Sequence, residues 1–71
     1  MEFDYSKLRG KIKEVCGTQE EFAKRVDMST TSLSHRLNGK LEFTQQEILK
    51  SLEVLHLQSK EIDEYFFKQK V

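Results

Sequence analysis

An all-α fold of five helices is what this sequence predicts, and three observations carry the prediction. Apolar residues recur at three- and four-residue spacing from Tyr5 to Phe66, proline is absent, and most of these stretches follow a Ser, Thr or Asp able to cap a helix. The 71 residues contain no repeat, linker or low-complexity run, so residues 1–71 read as a single domain. A domain this small buries only about 60% of the surface of its unfolded chain, so close helix packing or a partner subunit has to hold it together.

Helix one is expected from Asp4 to about Cys16, where Tyr5, Leu8, Ile12 and Val15 form the inward stripe and Phe3 with Leu8 staples an Asp4 cap. Its basic residues fall as i, i+4 pairs, Lys7 with Lys11 and Arg9 with Lys13. They form either a solvated face or one that lies near a nucleic-acid backbone. Gly10 costs about 1 kcal/mol relative to Ala in mid-helix and is expected to mark close packing, and Gly17 ends the helix.

Helix two opens at Thr18, with Glu21 three residues on, as a capping box, and Phe22, Ala23 and Val26 face inward. The three residues Asp27-Met28-Ser29 then make a bend. Ser29 caps helix three, Met28 and Leu33 staple its entry, and Gly39 supplies the positive φ that stops it after Asn38. Leu33 and Leu37 of helix three point to the core. At about 100° per residue, Thr30, Thr31, Ser34, His35 and Asn38 gather on another side. Short polar side chains there let a helix lie deep in a major groove about 12 Å wide, where hydroxyls, amide and imidazole meet base edges; the plainer reading is a solvated face. Two capped helices joined by a tight bend have the organisation of a helix-turn-helix, a motif that reads DNA.

After the loop Lys40-Leu41-Glu42, Thr44 and Glu47 form a second capping box and Phe43 with Ile48 a second staple. Helix four follows to about Leu55, with Ile48, Leu49, Leu52 and Leu55 as its buried stripe and Phe43 as a core plug. Ser59 is expected to cap the last helix. Tyr65, Phe66 and Phe67 either close the core with Ile62 or offer a dimer or partner surface.

With these motifs in place, the run QEEFAKRVDMSTTSLSHRLNGK resembles the helix-turn-helix of the lambda-repressor-like superfamily. Gln19, Ala23, Met28, Ser29, Leu33 and Gly39 stand where that pattern places its Gln, Ala, turn apolar residue, cap, core aliphatic and terminal Gly. The run LNGKLEFTQQEI resembles a group of small phage proteins labelled Cro-like. The likeness spans about residues 5 to 55 and departs in two places: Asp27 replaces the Gly common in the turn, and Arg36 occupies a position usually apolar.

The resemblance implies that Thr30, Thr31, Ser34 and His35 approach bases and that Gln19, Asn38, Lys40 and the amides at the Thr44 end of helix four hold phosphates. Read from the residues alone, Gln19 is an ordinary first-turn residue, Asn38 a C-cap and Lys40 a solvated loop charge. The function implied is that of a Cro-type phage or prophage transcriptional regulator, in which a homodimer occupies double-stranded operator DNA. The alternative is an antirepressor-type modulator that uses the same fold to bind a phage repressor protein.

Composition bears on that choice. Twelve basic and twelve acidic residues give a net charge of zero, unusual for a DNA binder, although residues 1–40 carry eight basic against six acidic side chains. A shallow salt dependence and poor non-specific affinity for DNA are expected. The chain has no apolar run near the roughly 18 residues of a membrane span, and its start lacks a signal-peptide apolar core, so a cytoplasmic location is expected. The lone Cys16 and two distant His residues give no metal cluster and no disulfide. No cofactor, small-molecule substrate or active site is expected, because the serines fall in caps and polar faces and the carboxylates on helix exteriors.

Overall fold

The computed structural model describes residues 2–71. Five α-helices follow in order: α1 (Ser6–Cys16), α2 (Gln19–Arg25), α3 (Thr30–Leu37), α4 (Gln45–Leu55) and, after a 3-10 turn at Ser59–Glu61, α5 (Ile62–Phe66). The Cα radius of gyration of 11.0 Å matches the about 11 Å of a compact chain this long.

One core gathers all five. Leu8 and Ile12 of α1, Phe22 and Ala23 of α2, Leu33 and Leu37 of α3 and Leu52 and Leu55 of α4 meet Tyr65 and Phe66 of α5. Phe43 acts as the expected plug: its ring meets Tyr5 edge-on at 5.4 Å and Phe66 edge-on at 5.2 Å between centroids. These T-shaped contacts suit the aromatic quadrupole and tie the α3–α4 loop to both ends of the chain.

Two expectations about the core need correction. The stripe of α4 is Ile48, Ser51, Leu52 and Leu55, whereas Leu49 is 61% exposed. An inward stripe at i, i+3, i+4, i+7 from Ile48 passes through position 51 and misses position 49. Ser51 tolerates full burial because its Oγ donates to the Glu47 carbonyl at 2.7 Å. Tyr65 and Phe66, expected as candidates for a dimer or partner surface, are 7% and 1% exposed and belong to the core. Helical spacing turns both toward α1 and α4 and leaves only Phe67 outside, at 45%. The Lys7 ammonium lies 5.2 Å from the centre of the Tyr65 ring and pairs with Glu64, fastening α5 to α1.

Gly10 does not mark close packing either, since a Cβ built there meets nothing within 4 Å. The last helix is capped differently from expectation: the Glu61 carboxylate accepts from the Gln58 amide at 2.8 Å, one residue before Ser59. Beyond α5 the chain returns along its own start. Asp4 N donates to Lys68 O at 2.6 Å and Lys70 N to Glu2 O at 3.1 Å, around an isolated antiparallel bridge between Phe3 and Gln69. Among the described residues no helix is long and apolar enough to cross a membrane.

Candidate interaction site on helix α3

The site is built around α3 and its two neighbours. α2 begins at Thr18, whose Oγ1 accepts from Glu21 N at 3.1 Å, but the Glu21 carboxylate turns to Arg25 Nε at 2.8 Å, so half of the expected capping box forms. α2 ends in a Schellman motif, with Met28 N donating to Ala23 O at 2.8 Å across Asp27 at φ 59°. Asp is one of the few residues that tolerates this left-handed backbone, which explains how it stands in for a Gly. Ser29 then caps α3 as expected, its Oγ accepting from Ser32 N at 3.0 Å. At the other end Gly39, at φ 79°, lets Lys40 N reach His35 O at 2.8 Å.

Both ends of this bend-and-helix unit are thus fixed by local chemistry, and two arginines fix it against the rest. Arg36 donates through Nε to Glu47 Oε1 at 2.7 Å and through Nη1 to Ser32 O at 3.2 Å, so the residue that departs from an apolar pattern bridges α3 to α4. Burial pushes the Glu47 carboxyl up, but the Thr44 amide and the Arg36 guanidinium outweigh it and hold the group below its ordinary value. Arg9 reaches across from α1 and donates to Leu37 O at 3.0 Å and to Asn38 Oδ1 at 2.9 Å. Sequence reasoning placed Arg9 on a basic face and missed this link, because only tertiary structure brings residues 9 and 38 together.

The structure puts Thr30 and Thr31 in solvent and leaves Ser34 and His35 half-buried beside them, so the four side chains expected to read bases do share the outer side of α3. Asn38 and Lys40 continue that side past the helix end, both exposed, and Gln19 is half-buried at the start of α2. Asn38 is already committed at both ends of its amide, accepting from Arg9 and donating to Ser34 Oγ at 3.3 Å. The Thr44 end of α4 is a poorer phosphate seat than the sequence implies. Glu47 Oε1 accepts from the Thr44 amide at 2.9 Å, which occupies that donor and sets a carboxylate where an anion would bind.

Electrostatics points the same way. Lys7, Lys11, Arg25, Arg36, Lys50 and Lys70 each have a carboxylate partner, and Arg9 is held by Leu37 and Asn38. The outer side of α3 carries no charged residue between Thr30 and Asn38, because Arg36 is turned to Glu47. Such a ridge offers hydrogen-bonding groups with little Coulombic pull toward phosphate.

A family model described as Protein of unknown function (DUF739) matches residues 1–69. The curated proteins gave no match. Among solved structures, the chain is similar to the solution structure of the modulator of repression (MOR) of the temperate bacteriophage TP901-1 from Lactococcus lactis. Identity is 46%, the alignment covers 100% of this chain and 96% of that one, and the TM-score is 0.83.

Proposed function

The chain belongs to the DUF739 family, and from that premise we propose that it is a phage regulatory protein of the cytoplasm that modulates repression by binding a repressor protein. The observation that carries this reading is the 46% identity to a phage modulator of repression along the whole length of the chain. Neutral net charge and the pairing of half the basic residues with carboxylates support a protein partner over DNA. A complex of this kind takes repressor from its operator by mass action, in proportion to the modulator present.

A second reading has its own support in the capped α2–bend–α3 unit and the exposed side chains of α3. On that reading the unit is a helix-turn-helix of the lambda-repressor-like type, and a homodimer places Thr30, Thr31, Ser34 and His35 against operator bases as a Cro-type regulator does.

One gel-shift series separates the two. The repressor from the same genome is bound to its operator at about 50 mM salt, where electrostatic binding is favoured, and the chain is added alone or to the complex. The modulator reading expects no shift of free operator at micromolar protein and a change or loss of the repressor band. A shift by the chain alone, with the repressor band untouched, refutes it in favour of direct operator binding.

A further inference from the structure

The link between α1 and α3 has a direction that matters at the surface. Arg9 Nη2 donates to Asn38 Oδ1 at 2.9 Å. A guanidinium has donors and no acceptor, so the oxygen of the Asn38 amide has to face Arg9 and its nitrogen has to face away. That nitrogen lies 3.3 Å from Ser34 Oγ and donates to it. Ser34 is therefore an acceptor toward Asn38, and its own proton must go elsewhere. Among the described residues nothing receives it, in contrast to Ser51, whose hydroxyl is spent on the Glu47 carbonyl at 2.7 Å.

We propose that Arg9 is a positioning residue that sets the hydrogen-bonding sense of α3, so that Ser34 O–H and the second Asn38 N–H are presented outward as donors to backbone carbonyl or side-chain carboxylate oxygens of a repressor protein. The identity of the partner rests on the modulator reading, whereas the wiring does not. The permanent charge of Arg9 heads the chain of bonds, and each bond polarises the next, which strengthens the terminal donors relative to an isolated serine. A protein segment is favoured over DNA because Arg36, the one cation of α3, is paired with Glu47 and the Arg9 guanidinium is spent on Leu37 O and Asn38 Oδ1, which leaves Lys40 as the exposed cation at the end of this ridge.

Three substitutions test the proposal. Arg9→Met keeps an apolar stem and removes the donors; Ser34→Ala removes the terminal hydroxyl. Asn38→Asp keeps the bond to Arg9 while offering a second acceptor to Ser34, so Ser34 turns its proton inward and shows lone pairs to the partner. In the free protein, the Asn38 side-chain amide resonances should move in both Arg9→Met and Ser34→Ala. In titration calorimetry against the purified full-length repressor, Ser34→Ala and Asn38→Asp should each weaken binding about tenfold. Arg9→Met should weaken it by a similar factor and add little on top of Ser34→Ala. Asn38→Asp should leave the melting temperature close to that of wild type, because the ion pair its carboxylate gains with Arg9 offsets the negative charge it sets at the C-terminal end of α3. Affinity lost at an unchanged melting temperature then cannot be ascribed to lost folding. The inference is overturned if Asn38→Asp binds within twofold of wild type, if the losses from Arg9→Met and Ser34→Ala multiply, or if the Asn38 resonances ignore Arg9→Met. If the resonances respond but wild-type protein binds operator DNA and no repressor, the modulator reading fails and the assignment of a protein acceptor falls with it.

Discussion

The tetrapeptides TQEE at residues 18–21 and TQQE at 44–47 differ at one position, yet they build different helix starts. In both, the threonine Oγ1 accepts from the glutamate amide at 3.1 Å. They part at the carboxylate. Glu47 returns to the Thr44 amide and at the same oxygen takes Arg36 from α3, in a pair whose side chains are 14% and 19% exposed. Glu21 instead swings to Arg25 one turn along its own helix, in a pair 44% and 39% exposed. A local motif therefore sets the first bond, and the neighbour that arrives from elsewhere in the fold decides what the carboxylate does.

Breaking each box should expose that difference. Glu47→Ala strands a mostly buried guanidinium and frees the cap amide, and is expected to cost about 2 kcal/mol. That loss lowers the melting temperature by about 10 °C for a chain this short. Glu21→Ala removes only a solvent-screened pair and should shift the melting curve by a small fraction of that. Equal losses from the two substitutions, read by calorimetric melting, would show that the Arg36 bridge contributes nothing beyond the cap.

Acid sharpens the same contrast. Folding holds the Glu47 carboxyl below its ordinary value of 4.5, so the native state binds fewer protons than the unfolded chain. Its contribution is complete above that value and declines as pH falls through the depressed one. Urea midpoints measured from pH 7 down to pH 3 should fall steeply in wild-type protein below about pH 4.5. The Glu21 carboxyl is also held below its ordinary value, by its bond to Arg25, but in a solvent-screened pair, so the acid limb should flatten more in Glu47→Gln than in Glu21→Gln.

Much of the fold was legible because caps and staples are local. Thr18, Ser29, Thr44 and Gly39 act where the sequence places them, since each needs only neighbours within four residues. What was not legible depends on which way a helix faces and on what crosses it. Leu49 looked like core by polarity, but the stripe runs through Ser51, whose burial rests on a bond to its own helix. Arg36 looked like an irregularity until α4 supplied Glu47. The outer residues of α3 were found from periodicity, while the hydrogen-bonding sense given to them by Arg9 is a contact across 29 positions that no spacing rule contains.

Gly10 is the clearest case of a sequence cue with no counterpart in the packing. Open space around it means that Gly10→Ala adds helix propensity without a clash, so a gain of about 1 kcal/mol is expected from denaturant unfolding. A loss would point to a contact that solvent or a bound partner makes there.

The smallest expected effect compares helix ends as the first compared helix starts. Asp27 and Gly39 occupy equivalent left-handed positions, at φ 59° and 79°, closing α2 and α3 with the same six-to-one bond. At Gly39 the backbone is unstrained, and Gly39→Ala should cost about 1 kcal/mol. At Asp27 the side chain makes the left-handed state unfavourable, so Asp27→Gly relieves strain of about 1 kcal/mol, less for Asp than for most residues. Against that stand the greater backbone entropy of glycine in the unfolded chain and the loss of a negative charge just ahead of α3, which favours the positive end of that helix. The sum is a gain of at most about 0.5 kcal/mol. If Asp27→Gly lowered the urea midpoint instead, its carboxylate would be stabilising the start of α3 more than its backbone strains the end of α2.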